Sequence, residues 1–172
     1  MKLEDIKELC DKYSVELSFE MPEGYEDAFG TYDVTINTLF LNLSLTTDKE
    51  YIRDYYFYHE LRHAYQYTYR SEFSSEIQSS LDYEILFNGV CYKLEGNERR
   101  EYRMEGSDEF FTQAYLSLPY ELDANKWAYD QCTQRYPEKQ NELNELYRSW
   151  LPSAKMTPSE LKDLFQRIDM NS

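Results

Sequence analysis

The segment Tyr58-His59-Glu60-Leu61-Arg62-His63-Ala64 sets two imidazoles four residues apart, with a carboxylate directly after the first. In a helix, positions i and i+4 lie on one face. Two imidazole nitrogens so placed reach a single divalent cation, and zinc is the ion that most commonly takes such a set. Glu60, one step round the helix, stands beside that cation rather than on it. There it can accept a proton from a water that the ion activates, while the same ion polarises a peptide carbonyl. The pattern therefore predicts a metal-assisted hydrolysis with Glu60 as general base. His59 and His63 are also the only two histidines in the chain. Two histidines scattered over a chain this long fall four apart about one time in a hundred, so the spacing carries information.

Two histidines do not complete a zinc site, and no third remains. Cys10, Cys91 and Cys132 lack metal-ligand spacing, so a carboxylate must supply the third bond. Leu118-Pro119-Tyr120-Glu121-Leu122-Asp123-Ala124-Asn125-Lys126-Trp127-Ala128 offers Glu121 in the opening turns of a later helix. Ala124 and Ala128 share its face and permit close approach of a neighbouring helix. Asn125, at i+4, can hydrogen-bond the outer nitrogen of a metal-bound histidine and so orient it. Asp123 and Glu109 are rival carboxylates. An oxyanion-stabilising group is also required. Tyr65, Tyr115 and Tyr120 lie near the two motifs, whereas Tyr55 and Tyr56 suit a core or cleft wall. Arg62 reads as the cation of an ion pair.

H-E-x-x-H followed by E-x-x-A-[ND]-x-[FW]-A resembles the gluzincin branch of the zincin metallopeptidases. Within that branch it is most similar to the compact ImmA/IrrE type and related phage or mobile-element enzymes. The resemblance spans about residues 28–70 and 110–130. It implies zinc on His59, His63 and Glu121, support of a ligand histidine by Asn125, and an edge strand, here Leu39–Leu43, bordering the cleft. It also implies a protein or peptide substrate. The 58 residues from His63 to Glu121 exceed the compact family's spacing, so 71–115 reads as an insertion over or beside the cleft. No DNA-binding helix pair of the kind that often accompanies the family is visible.

The elements that must position these residues follow from periodicity. Leu3, Ile6, Leu9, Cys10 and Tyr13 have helical spacing over residues 2–13. Val15, Leu17, Phe19 and Met21 alternate with polar residues, as a half-buried strand does. Tyr32–Ile36 and Leu39–Leu43 read as two more strands joined near Asn37. Thr46, Thr47 and Asp48 are N-cap residues for a helix over 48–70. Ser-rich 71–80 reads as a loop or short helix, and Val90–Leu94 with Glu101–Met104 as a hairpin around Gly96 and Asn97. From Phe110 the pattern is helical, broken at Pro119, Pro137 and Pro152. Thr157, Pro158 and Glu160 open the last helix through about Ile168. The fold class is α+β: a small N-terminal antiparallel or mixed sheet packed on the H-E-x-x-H helix, then a helical C-terminal half. The whole of 1–172 reads as a single zincin-like domain.

Composition narrows the class further. With 33 acidic against 18 basic residues the net charge is -15, which disfavours binding to nucleic acid phosphates. An odd number of cysteines, a charged amphipathic start and no membrane-length apolar run point to a cytoplasmic protein. Two other functions fit parts of the pattern. One is a zinc-stabilised interaction or sensor module without catalysis. The other is an acidic nucleic-acid mimic, which requires a stripe of carboxylates, whereas the sequence spreads them widely.

Overall fold

A computed structural model describes residues 1–45, 49–96 and 98–171. Its elements fall into two compact units, one formed by 1–70 with 124–149 and the other by 71–123 with 150–172.

The first unit opens with helix α1 (Leu3–Lys12), which buries Ile6 and Cys10. Strands β1 (Glu16–Ser18), β2 (Gly30–Asp33) and β3 (Thr38–Leu41) follow, and helix α2 (Glu50–Thr68) carries the H-E-x-x-H segment. The sheet order is β1-β3-β2, with β1 parallel and β2 antiparallel to β3. Strands β2 and β3 pack on α2, and Leu39 and Leu41 are fully buried there. Each such leucine stabilises the fold by roughly 1.5–3 kcal/mol.

The sheet is mixed and lies on α2, as expected, but its strands are shorter than alternation alone suggests. Side-chain turns stop them. Ser18 Oγ accepts from the Glu20 amide at 3.1 Å and ends β1 before Phe19 and Met21. Asp33 Oδ1 accepts from the Thr35 amide at 2.9 Å and its hydroxyl at 2.6 Å, so β2 ends ahead of Thr35 and Ile36. Asn42 Oδ1 does the same with the Ser44 amide at 3.1 Å, and a 3-10 turn, Leu43–Leu45, replaces the end of the expected strand. Short polar side chains that bond the backbone two residues on make such turns in place of a ladder. A further correction concerns position. The strand through Leu39 is central, not an edge, because β1 pairs along its other side. The edge strand beside α2 is β2.

Helix α2 is shorter at both ends than residues 48–70. The expected caps Thr46, Thr47 and Asp48 lie outside the described residues, as does Asn97. Twelve of its nineteen residues are buried, from Arg53 continuously to Leu61 and then His63, Ala64 and Gln66. A helix buried all round must satisfy every polar group it takes inside. Arg53 and Asp54 do so together: Arg53 Nε donates to Asp54 Oδ1 at 2.9 Å, and Tyr136 donates to Asp54 Oδ2 at 2.5 Å. Helix α5 (Pro119–Arg135) belongs to this unit from Ala124 on, and α6 (Gln140–Ser149) completes it. Ala124 and Ala128 are fully buried, and Trp127 meets Tyr58 of α2 edge-on at 5.5 Å.

The second unit holds α3 (Ser75–Ser80), the antiparallel sheet β4 (Tyr83–Ile85), β5 (Val90–Glu95) and β6 (Glu98–Arg103), and α4 (Asp108–Ser117). The start of α5 and helix α7 (Pro158–Asp169) complete it. The hairpin is present over Val90–Arg103, and β4 is an additional strand. Thr157 and Glu160 form the expected capping box of α7. Tyr83 stacks on Phe165 at 4.1 Å and donates to Asp169 at 2.8 Å, tying α7 to the sheet. No helix among the described residues is long and apolar enough to cross a membrane.

Candidate metal centre

Helix α2 brings His59, Glu60 and His63 together, as the spacing demands. All three are buried, and one ligand atom from each lies within 4.8 Å of the others. The two Nε2 atoms face each other at 2.9 Å, with the ring planes 89° apart. A tetrahedral ion at about 2.0–2.1 Å from each nitrogen holds such a pair about 3.3 Å apart. That distance differs from the observed one by a few tenths of an ångström, the scale of a small side-chain torsion. The donor set, two imidazoles and a neighbouring carboxylate in a buried place, fits zinc.

The polar contacts around the rings add direction. His63 Nδ1 lies 2.9 Å from Gln66 Oε1. An amide oxygen can only accept, so this contact is a hydrogen bond in the tautomer that carries the proton on Nδ1 and leaves the Nε2 lone pair free. Gln66 is wholly buried. Reading the motif alone missed it, although the signal was there: Gln66 follows His63 by three, a spacing that puts both on one helical face.

Glu60 is held from the other side by β2. A Cβ on Gly30 would lie 3.1 Å from Glu60 Cγ and 3.2 Å from the Phe40 carbonyl oxygen. The absent side chain lets the strand backbone approach the Glu60 side chain closely; a Cβ there would require the neighbour to shift by a few tenths of an ångström. No sequence pattern marked Gly30, since its role exists only once β2 lies on α2.

The remaining candidates are placed as follows. Asn125 is buried on α5; its Oδ1 accepts a long hydrogen bond from the Tyr55 hydroxyl at 3.4 Å, and its Nδ2 has no hydrogen-bond partner among the described residues. Burial pushes the Tyr55 hydroxyl well above the usual tyrosine value, so it stays a donor. Tyr56 stacks flat on Phe29 at 4.4 Å. Both are wall and core, as their position suggested. In the second unit Glu121 is buried, whereas Asp123 is half-buried and Glu109 exposed. Glu121 Oε2 accepts from the Tyr115 hydroxyl at 3.1 Å. Tyr120 donates its hydroxyl to the Tyr83 carbonyl at 3.1 Å, a structural use. Arg62 lies over the rings of Tyr65 and Trp127, at 5.6 and 5.5 Å from their centroids.

Compared with known protein families, with curated proteins and with solved structures, the chain matches none. A buried His-Glu-His group able to hold a metal ion thus stands on the residues themselves.

Proposed function

We propose that the chain is a zinc-dependent peptidase acting on a protein or peptide. The observation that carries this reading is the pair of Nε2 atoms facing each other at 2.9 Å with the Glu60 carboxylate beside them. His59 and His63 hold the ion, and Glu121 is the third ligand. The spacing of the second motif supports that last choice, as does the burial of Glu121 over its rivals. Asn125 steadies one ligand histidine.

Zinc, when bound, lowers the pKa of water toward 7 and polarises the scissile carbonyl. Glu60 accepts a proton from the attacking water as its oxygen bonds to the carbonyl carbon. The same carboxyl then delivers that proton to the departing amine nitrogen as the C–N bond breaks. Burial keeps bulk water from competing for the carboxylate.

The test compares wild type with Glu60→Gln and His59→Ala, measuring zinc content and cleavage of an unfolded fluorescent protein substrate. Wild type should carry one zinc and cleave. Glu60→Gln should keep zinc and lose about 10²–10⁴-fold in turnover. His59→Ala should lose both. Wild type that stays metal-free after dialysis against zinc overturns the reading. Equal, zinc-retaining wild type and Glu60→Gln would instead mark a zinc-stabilised module without chemistry.

A further inference from the structure

We infer that Gln66 is a positioning residue for the metal site: it pins His63 in the Nδ1–H tautomer and so keeps the Nε2 lone pair aimed at the cation. The inference rests on the metal reading above. A free imidazole carries its single proton on either nitrogen, and only one of the two forms can bind metal through Nε2. The protein must therefore select one.

The selection has a visible device in Gln66. Its oxygen stands 2.9 Å from His63 Nδ1. The side chain is fully buried, so water does not compete for that contact. Helical spacing holds the pair in register: Gln66 and His63 are three residues apart within α2. The contact also fixes the plane of the imidazole, leaving one direction for its Nε2, and that direction is toward His59 Nε2. A neutral amide orients the ring without adding a buried charge beside the ion, which a carboxylate there would do. Partners of this kind change metal affinity by about 10–100-fold when removed.

The device makes a specific prediction about chemistry that a packing role does not. Gln66→Met keeps the volume and removes the acceptor. Gln66→Glu keeps the acceptor. Zinc affinity of the full chain, measured by competition with a chromophoric chelator, should fall about 10–100-fold in Gln66→Met and stay within about threefold of wild type, or tighten, in Gln66→Glu. Long-range ¹H–¹⁵N correlation spectra should place the His63 proton on Nδ1 in wild type, with His59→Ala assigning the two rings.

A His63 proton found on Nε2 overturns the proposal, as does Gln66→Met binding zinc as tightly as wild type. Wild type that takes up no zinc removes the metal reading and this inference with it. Zinc uptake by wild type with unchanged affinity in Gln66→Met removes this inference alone. Should Gln66→Met fail to fold, the tautomer and the Gln66→Glu affinity decide. A Gln66→Glu chain that folds but binds zinc tenfold more weakly than wild type counts against it.

Discussion

Gly30 and Glu60 meet in a tight contact: a Cβ on the strand would stand 3.1 Å from the Glu60 Cγ, so any larger residue there requires Glu60 to give way by a few tenths of an ångström. The contact joins the edge of the sheet to the face of α2 that carries the buried His-Glu-His group. Gly30→Ala should push Glu60 by a few tenths of an ångström, since the Phe40 carbonyl at 3.2 Å blocks retreat in the other direction. With Glu60 acting as the proposed general base, a displacement of this size costs about tenfold in rate. The expected result is normal zinc content with turnover lowered about tenfold. Zinc content and kcat measured together check it.

Zinc should stabilise the fold through the same two histidines. A ligand present at a hundred times its Kd adds about 2.7 kcal/mol. Thermal melts should therefore shift upward with zinc in wild type and Glu60→Gln. The shift should vanish in His59→Ala and His63→Ala. A zinc-induced shift of wild-type size in either alanine variant contradicts the assignment of ligands.

Buried acids should make the fold alkali-sensitive. Burial first, then Asp11, pushes the Cys10 thiol up from 9.0 to about 12. Burial lifts Cys91 to about 11 against the opposing pull of Arg167. Tyr32 rises to about 12, through burial and then Asp33. These groups stay protonated when folded and ionise earlier when unfolded. Their contribution is complete below pH 9 and drains away as pH climbs through 11–12. Urea midpoints should hold up to about pH 9 and fall beyond it. The three thiols, Cys10, Cys91 and Cys132, should resist a thiol reagent at pH 8 in the native chain and all react in urea.

Asp54 should matter for stability and not for metal binding. It is fully buried and takes Arg53 at 2.7 Å. Asp54→Ala leaves the buried guanidinium without its carboxylate and Tyr136 without its acceptor. The expected loss is about 3–5 kcal/mol in urea unfolding, with zinc stoichiometry unchanged under folding conditions.

The His-Glu-His face of α2 was legible because helical periodicity is local. A spacing of four from His59 to His63 means one face whatever surrounds them. The same logic, applied three residues further, would have exposed Gln66. Strand limits were hidden because single side chains decided them: Ser18, Asp33 and Asn42 each turn the backbone before alternation runs out. Strand order was hidden for a different reason. The parallel partner of Thr38 is Glu16, far earlier in the chain, and no local pattern advertises that pairing. Three-residue β4 is too short for any alternation to show.

The β2–β3 ladder also has a tolerance built into it. Gly30 pairs with Leu41 and Asp33 with Thr38, around a turn closed by Asn37 at a φ of 51°. Adding or removing a residue in that turn would slide Thr31 or Phe29 into the place now filled by a hydrogen atom, and a branched or aromatic side chain would then collide with the helix. The length of this loop is thus constrained by the packing of β2 on Glu60, and indels between 34 and 37 should displace Glu60 while leaving most of the backbone intact.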